Sequence, residues 1–473
     1  MRRDGGGGAG GEDSPGGERG GEGGAEGGGG EAEPAPLSVA LGLPPPWSAP
    51  TDGIAGPAED PAGAFTLADA CQIVPSLLVA SAALALTGGL LDAAQHWSMF
   101  ERRTAYFIAM PMLFGLKGNL DMTLASRLSS ALHAGVLERP RGFYEAGMAL
   151  VMVQAIVCGL VAGVLTVIMA AVSGTGGNSQ RNVAGGNNSG GAGVGATSLN
   201  TGEALAVVAS VMLASMVAAF VFGLLTFGLV FVSVVLHLDS DNFATPLVSS
   251  AGDMATLVIL ACAAYFIDWF ADWGGLGDTA PIALIGFGLA ALPLLWRMAA
   301  QDKVCREALV SGWFPILASL GISQFAGSVL ETTIVTYPGI SIFVLFVNGI
   351  GGSLSCVYAS RLSSALHAKS SAQGTTTVVM FLMLVGVIFQ GAYVLLISAL
   401  SLGHGESDKP GFSFLYVIAC AFHVAMLLGL TRCWAPALFS RGVDPDNVLI
   451  PILTALADLA GSCLLWVVFA LTY

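Results

Sequence analysis

The sequence has few charged residues for its length. Aspartate, glutamate, lysine and arginine make up 11% of its 473 residues, whereas a soluble domain usually carries about 25%. Apolar residues make up 54% of the chain, and the mean hydropathy is +0.75. This composition excludes an ordinary soluble globular protein. Because many apolar runs reach the length of about 20 residues that crosses a bilayer, it indicates a polytopic helical membrane protein in contact with lipid.

Catalytic motifs and the usual metal-binding motifs are also missing. The eight cysteines form no CxxC pair and fall mostly within apolar segments, where cysteine behaves as a small hydrophobic residue. The six histidines have no ligand spacing, and the chain contains neither a phosphate-binding P-loop nor a catalytic triad. We therefore expect no enzyme, no direct use of ATP, no organic cofactor and no nucleic-acid partner.

Residues 1–63 differ from the rest of the chain. They are rich in glycine, glutamate and proline, and their eleven acidic and three basic residues hold more than half of the net charge of −14. Such a segment cannot bury enough apolar surface to offset the entropy lost on ordering. The composition predicts a disordered cytoplasmic tail and indicates little about a substrate.

Two stretches of the remaining chain occur twice. Ala125 to Ala134 are identical to Ala359 to Ala368, and Asp239 to Asp253 resemble Asp444 to Asp458. Such duplication indicates two copies of one structural unit. We predict an all-α membrane protein with about 11 transmembrane helices. Its parts are a first five-helix repeat over residues 64–272, a connecting transmembrane helix and basic linker over 273–307, and a second five-helix repeat over 308–473.

The connecting helix sets the relative orientation of the repeats. Five spans followed directly by their copy would leave the copies inverted, whereas a sixth span makes them parallel about an axis along the membrane normal. In this arrangement ten lysine and arginine residues fall on the side of the amino terminus and four on the other. By the positive-inside rule we expect the amino terminus in the cytoplasm and the carboxyl terminus outside. We also expect the plasma membrane as the location. With both repeats in one chain, we expect function without homodimerisation.

Two aspartates inside apolar segments are the strongest functional signal. A charge at membrane depth is costly, so Asp253 and Asp458 are expected either in an aqueous ion path or hydrogen-bonded to a neighbouring helix. Pro246 and Pro451 precede them by seven residues, close to two helical turns, and are predicted to begin these helices and to face the same path. Two facing carboxylates would repel without a cation between them, and two oxygen ligands with retained water favour Mg²⁺.

Glycine-rich sequences interrupt two other apolar segments. The first segment begins near residue 104 and meets glycine after about three turns, which predicts a broken helix. Backbone carbonyls freed by such a break could line a cation path, although small residues also let helices pack closely. The residues concerned are Gly115, Gly118, Asn119, Gly349, Gly352 and Ser353.

Acidic residues precede each membrane aspartate at the expected cytoplasmic entrance. They are predicted to form a vestibule that concentrates cations, or to cap helix amino termini, and the sequence leaves both open. The residues are Asp239, Asp241, Asn242, Asp444, Asp446 and Asn447.

These motifs resemble a known family from about residue 70 to the end. GLKGNLDMTLASRLS, GWFPI at 312–316 and the DPDN stretch are similar to the eukaryotic solute carrier family 41, magnesium transporters related to bacterial MgtE. The resemblance implies a Mg²⁺ channel or carrier in which the two fused repeats replace the bacterial dimer. It implies that Asp253 and Asp458 match the pore aspartate, and that the Gly-Asn segment lines the pore. Ser353 departs from the asparagine usual in the family.

We therefore expect Mg²⁺, and other divalent cations if selectivity is broad, to cross the membrane between the repeats, held by Asp253 and Asp458. The alternative is a Na⁺/Mg²⁺ exchanger that uses the same aspartates. A membrane-embedded enzyme or scaffold with structural aspartates is the third hypothesis, and no nucleophile in the sequence favours it.

Overall fold

A computed structural model provides the structure of the protein. It describes residues 67–133, 140–173, 200–236, 240–272, 275, 277–311, 313–337, 339–367, 375–401, 409, 411–441, 443 and 445–472. The predicted tail over residues 1–63 lies outside the described residues, as do the loops between these ranges.

The described part of the chain is helical and contains no strand. The first half comprises α1 (Leu67–Ala94), α2 (Ser98–Arg102), α3 (Ala105–His133), α4 (Pro140–Ser173), α5 (Thr201–Leu236) and α6 (Ser240–Asp272). Two connecting helices follow, α7 (Thr279–Ala299) and α8 (Lys303–Ser311). The second half comprises α9 (Trp313–Thr336), α10 (Ile340–His367), α11 (Thr375–Ala399), α12 (Phe412–Phe439) and α13 (Pro445–Thr472).

Ten of the helices in the described ranges are long and apolar enough to cross a membrane. The remaining long helix, α3, has 29 residues but carries Lys117, Asp121 and Arg127. These charges lower its hydropathy without shortening it, and a helix of this length exceeds the thickness of a bilayer core. The predicted all-α membrane fold is confirmed.

The predicted helix breaks are wrong. Helix α3 continues from Ala105 to His133 and α10 from Ile340 to His367, through both glycine-rich segments. Glycine and asparagine inside a helix cost only about 0.5–1 kcal/mol each relative to alanine. An unpaired backbone group in a bilayer costs several kcal/mol, so keeping the helical hydrogen bonds outweighs the propensity cost.

The predicted role of the two prolines as helix starts is also wrong. Helices α6 and α13 begin at Ser240 and Pro445, so Pro246 and Pro451 lie inside them. Pro445 is the proline that takes the first position of a helix, where its missing N–H has no partner to lose. The acidic residues predicted as a vestibule therefore fall at or next to the first turns of these helices.

The first helix of each repeat packs against the other repeat. Helix α1 contacts α6 of its own repeat and α10 of the second, while α9 contacts α13 of its own repeat and α3 of the first. Two glycines permit the crossings: a Cβ atom at Gly88 would meet the carbonyl oxygen of Ile342, and one at Gly327 would meet that of Ile108. Ile108 and Ile342 occupy equivalent places in the duplicated segments, so the two crossings are pseudo-symmetric.

We call α1 and α9 the exchanged helices, because each packs against the repeat to which it does not belong. Helices α3, α6, α10 and α13 lie between the halves as a result. One continuous set of buried apolar side chains runs through both repeats. Helix α7 packs on α4, α5 and α6 of the first repeat. The residues that the duplicated motifs carry therefore come together on the four central helices.

Candidate cation site between the repeats

The two membrane aspartates project from equivalent helices. Asp253 lies on α6 and Asp458 on α13, and the two carboxylates are close enough to interact electrostatically. The side chain of Asp253 keeps 16% of its surface exposed. The fold thus brings together the pair that the sequence singles out, at the junction between the repeats.

A lysine and a third carboxylate, both from α3, join Asp253. The Lys117 Nζ atom is 3.9 Å from Asp253 Oδ1 and 4.0 Å from Asp121 Oδ2. The Lys117 and Asp121 side chains are only 2% and 6% exposed. Neither oxygen of Asp121 has a hydrogen-bond partner. Buried ionic groups need charge partners, and here the ammonium lies between two carboxylates.

The surroundings of Lys117 fit its long side chain. Its Nζ atom lies 4.7 Å from the centroid of the Phe222 ring on α5, a favourable place for a cation. Gly252 on α6 provides the space, because a Cβ atom there would collide with Lys117 Nζ and Cε. Sequence reasoning missed Lys117 and Asp121 because it assigned them to a break. Their i,i+4 spacing was the available signal, since such residues are neighbours on a continuous helix.

The second repeat places different groups at the equivalent positions. Gly351 and Ser355 stand where the first repeat has Lys117 and Asp121. Around Asp458 the site is built of neutral polar groups instead. Asn348 Nδ2 donates to the Asp458 backbone oxygen at 3.2 Å and to Ser462 Oγ at 3.3 Å. At these two pairs of positions, the first repeat therefore adds a charged pair beside its aspartate and the second does not.

A buried histidine also borders this half of the site. His423 on α12 is fully buried, and its Nε2 atom lies 3.1 Å from the carbonyl oxygen of Ala457. Gly351 and Gly461 pass close to its ring, so that a Cβ atom at either position would contact it. The histidine thus fixes the backbone next to Asp458 and is a neighbour that sequence reasoning did not identify.

Asn119 joins three helices at the centre. Its Nδ2 atom donates to Ser319 Oγ on α9 at 2.9 Å, and its Oδ1 atom accepts from Thr454 Oγ1 on α13 at 3.3 Å. Asn119 is 1% exposed. An asparagine predicted to line a path is therefore also an interhelical hydrogen-bonding residue, a common role for asparagine in membrane helices.

The predicted glycines fall into two kinds. Gly115 and Gly349 are equivalent and each faces an exchanged helix, since added Cβ atoms would contact Ser323 on α9 and Leu84 on α1. Gly118 has open space beside it, and a Cβ atom at Gly352 would lie 3.7 Å from that of Ala457. The first kind serves helix packing, and the second kind leaves space near the aspartates.

The predicted vestibule is only partly within the described residues. Asp239 and Asp444 lie outside them, and nothing is described of the side chains of Asp241, Asn242, Pro246, Asp446 and Asn447. Their role at a cytoplasmic entrance stays a prediction.

The donors around the site are hard oxygen ligands. Within the described ranges there is no group of three or more histidine, cysteine, aspartate or glutamate side chains that could hold a metal ion. An open pair of carboxylates with hydroxyl and amide neighbours suits a cation that keeps part of its water shell. The described donors are therefore of the chemical type that binds hydrated Mg²⁺.

The family comparison matches the same two regions of the chain. The model of the MgtE family, described as divalent cation transporter, matches residues 110–263 and 344–468. The chain belongs to the MgtE family of divalent cation transporters. The two matched ranges correspond to the duplicated units, and together with the ten apolar helices they make the chain a multi-pass membrane protein.

Curated relatives of this MgtE-family chain are members of solute carrier family 41. Solute carrier family 41 member 2 of Xenopus laevis is 33% identical over 433 residues, which is 85% of this chain and 72% of the relative. Member 3 of Rattus norvegicus is 29% identical over 436 residues, 86% of this chain and 88% of the relative. Member 2 of Homo sapiens is 32% identical over 425 residues, 84% of this chain and 69% of the relative. No solved structure matches the chain.

Proposed function

We propose that this MgtE-family protein carries Mg²⁺ across the membrane along a path between its two repeats, with the ion held between Asp253 and Asp458. The observation that carries the proposal is that α3 contacts both aspartate-bearing helices at the junction of the repeats: Lys117 lies beside Asp253, and Asn119 is hydrogen-bonded to Thr454, one turn before Asp458. Each aspartate comes from its own copy of the duplicated unit, so a single chain supplies both sides of the site.

The chemistry of the site favours Mg²⁺ among divalent cations. Mg²⁺ gives up its water reluctantly and is usually bound by one or two carboxylates with several waters retained. Softer metals prefer cysteine or histidine ligands, and the one buried histidine nearby directs its Nε2 atom to a backbone carbonyl. Other hydrated divalent cations of similar size would compete.

The rest of the path is proposed from the positions of the predicted residues. Gly118, Asn119, Gly352 and Ser353 would border it near the aspartates, and the acidic residues at the starts of α6 and α13 would draw cations to its cytoplasmic mouth. We place the protein in the plasma membrane with its amino terminus in the cytoplasm, and we propose that one chain suffices for transport.

The test is Mg²⁺ flux into proteoliposomes that contain the purified protein. Asp253→Asn and Asp458→Asn should each abolish most of the flux, because each change removes one of the two charges that hold the ion. Asp272→Asn is the matched control: it is the same change at the exposed end of α6, and it should leave the flux unchanged. Undiminished flux in both site variants would refute the proposal.

A Na⁺ gradient separates a channel from an exchanger in the same vesicles. Flux that depends on the Mg²⁺ gradient and membrane potential alone indicates a channel. Flux that appears only with an opposing Na⁺ gradient, and is lost in the same aspartate variants, indicates a Na⁺/Mg²⁺ exchanger that uses the same site.

A further inference from the structure

The charged groups at the site do not follow the pseudo-symmetry of the fold. The first repeat adds Lys117 and Asp121 beside Asp253, whereas the second repeat has Gly351 and Ser355 at those positions. The residues that pack against these positions from α6 and α13 also differ between the repeats. Gly252 leaves room for the lysine on α6, and its counterpart on α13 is Ala457, which faces the small residue Gly352. The structure is therefore built to hold one lysine at one side of the site.

The ammonium of Lys117 lies directly beside the Asp253 carboxylate, which is the proposed ligand of the cation. Its Nζ atom is 3.9 Å from Asp253 Oδ1, a distance at which two unit charges interact strongly even at the effective dielectric of a protein interior. The carboxylate of Asp121, whose oxygens have no hydrogen-bond partner, lies with Oδ2 4.0 Å from the same Nζ atom. Between two carboxylates and the Phe222 ring, the ammonium has more than one favourable position within reach of its four-carbon stem.

We propose that Lys117 is a tethered cation that sets the charge of the transport site. With their side chains ionised, Asp121, Asp253 and Asp458 carry three negative charges, and Lys117 reduces the total to −2, which one divalent cation neutralises. In the empty site the ammonium occupies part of the space beside Asp253. When Mg²⁺ enters, the ammonium moves toward Asp121, so the ion is held less tightly and can leave.

This inference rests on the proposed function and makes a separate prediction about affinity. Lys117→Met keeps most of the side-chain volume and removes the charge. The concentration of Mg²⁺ that gives half-maximal flux should fall by at least about tenfold, because the site becomes more negative by one charge and a unit charge a few ångströms from a divalent ion contributes more than the roughly 1.4 kcal/mol of a tenfold change. The maximal flux should fall as well, because a more tightly held ion leaves more slowly. Lys117→Arg keeps the charge and should keep the half-saturating concentration near that of the wild type.

Two further variants test the charge itself. Asp121→Asn makes the site less negative and should raise the half-saturating Mg²⁺ concentration about tenfold. In the double variant Lys117→Met with Asp121→Asn the total returns to −2, so half-saturation should return toward the wild-type value. A purely structural ion pair would instead show the same loss of folded protein for each change, with no opposite shifts in affinity.

Thermal stabilisation of the purified protein by Mg²⁺ is a second measurement that does not depend on flux, since a ligand stabilises the folded state according to its affinity.

If folded Lys117→Met protein shows an unchanged or raised half-saturating concentration, the inference is overturned. Should that variant fail to fold, an unchanged half-saturation in Asp121→Asn overturns it equally. A wild type with no response to Mg²⁺ in either assay would overturn both the inference and the proposed function. A wild-type response that the Lys117 and Asp121 variants leave unmoved would overturn the inference alone.

Discussion

At the scale of single residues, Gly252 determines where the ammonium of Lys117 can lie. A methyl group at this position would collide with the Lys117 Nζ and Cε atoms, which are the movable end of a long side chain. We predict that Gly252→Ala displaces the ammonium from Asp253 and lowers the half-saturating Mg²⁺ concentration, in the same direction as Lys117→Met but by less. The measurement is the concentration dependence of Mg²⁺ flux in proteoliposomes.

Gly429→Ala is the matched control for this variant. It lies on α12 with no atom within 4 Å of an added Cβ, and both changes should gain about 1 kcal/mol of helix propensity. Gly429→Ala should therefore leave the half-saturating Mg²⁺ concentration unchanged. Its stability should be equal to or higher than that of the wild type. Equal half-saturation in the two variants would show that the position of the ammonium does not affect the ion.

Residue types at membrane depth could be identified from the sequence, but their partners could not. Asp253 and Asp458 stand out because a carboxylate is expensive in an apolar segment. Lys117 and Asp121 are equally expensive, yet their role depends on whether α3 is continuous. Asn119 is predicted to line a path, and its contacts with Ser319 and Thr454 depend on two helices that lie 200 and 335 residues away along the chain. Contacts of that kind depend on the tertiary packing.

At the scale of helices, the crossings of the exchanged helices depend on two glycines. Gly327 on α9 lies against the backbone of α3, and a Cβ atom there would meet the carbonyl oxygen of Ile108. A backbone atom cannot move aside as a side-chain end can, so Gly327→Ala must force the helices apart. Overpacking of this kind costs about 1–3 kcal/mol, and we expect a lower temperature of thermal unfolding in detergent.

Gly321→Ala on the same helix gives the opposite expectation. No atom lies within 4 Å of an added Cβ at Gly321, so this change should raise stability by up to about 1 kcal/mol through helix propensity alone. Gly88→Ala and Gly89→Ala on α1 form the equivalent pair in the first repeat, since only Gly88 approaches Ile342. A Gly327→Ala protein as stable as the Gly321→Ala protein would rule out the close crossing.

Helix existence could be predicted from hydropathy, whereas helix continuity could not. The apolar runs are long enough to define eleven segments, and eleven long helices are present in the described ranges. The predicted breaks are wrong because glycine only weakens a helix locally, whereas the bilayer strongly penalises unpaired backbone groups. The sequence also contains no local signal for the exchange of α1 and α9, because that exchange is decided by packing between the repeats.

At the scale of the whole molecule, the status of α3 decides the topology. Only ten helices of the described ranges satisfy length and hydropathy criteria for a span, and α3 is not among them. Ten spans would leave the two termini on the same side of the membrane, whereas eleven leave them on opposite sides. An ion pair at the start of α3 supports eleven: Arg103 Nη1 lies 2.9 Å from Asp268 Oδ1 near the end of α6.

That ion pair joins the beginning of α3 to the end of α6, while the contact of Lys117 with Asp253 joins the middles of the same two helices. Two contacts at different depths fix α3 antiparallel to α6 along much of its length, so α3 crosses wherever α6 crosses. Eleven spans put the termini on opposite sides, and the distribution of lysine and arginine leads us to predict that the amino terminus is the cytoplasmic one. A glycosylation site in a short tag should be modified when the tag follows the carboxyl terminus and remain unmodified when it precedes the amino terminus. Modification of both tags, or of neither, would mean that α3 does not cross, and the contact between Lys117 and Asp253 could then not lie at membrane depth.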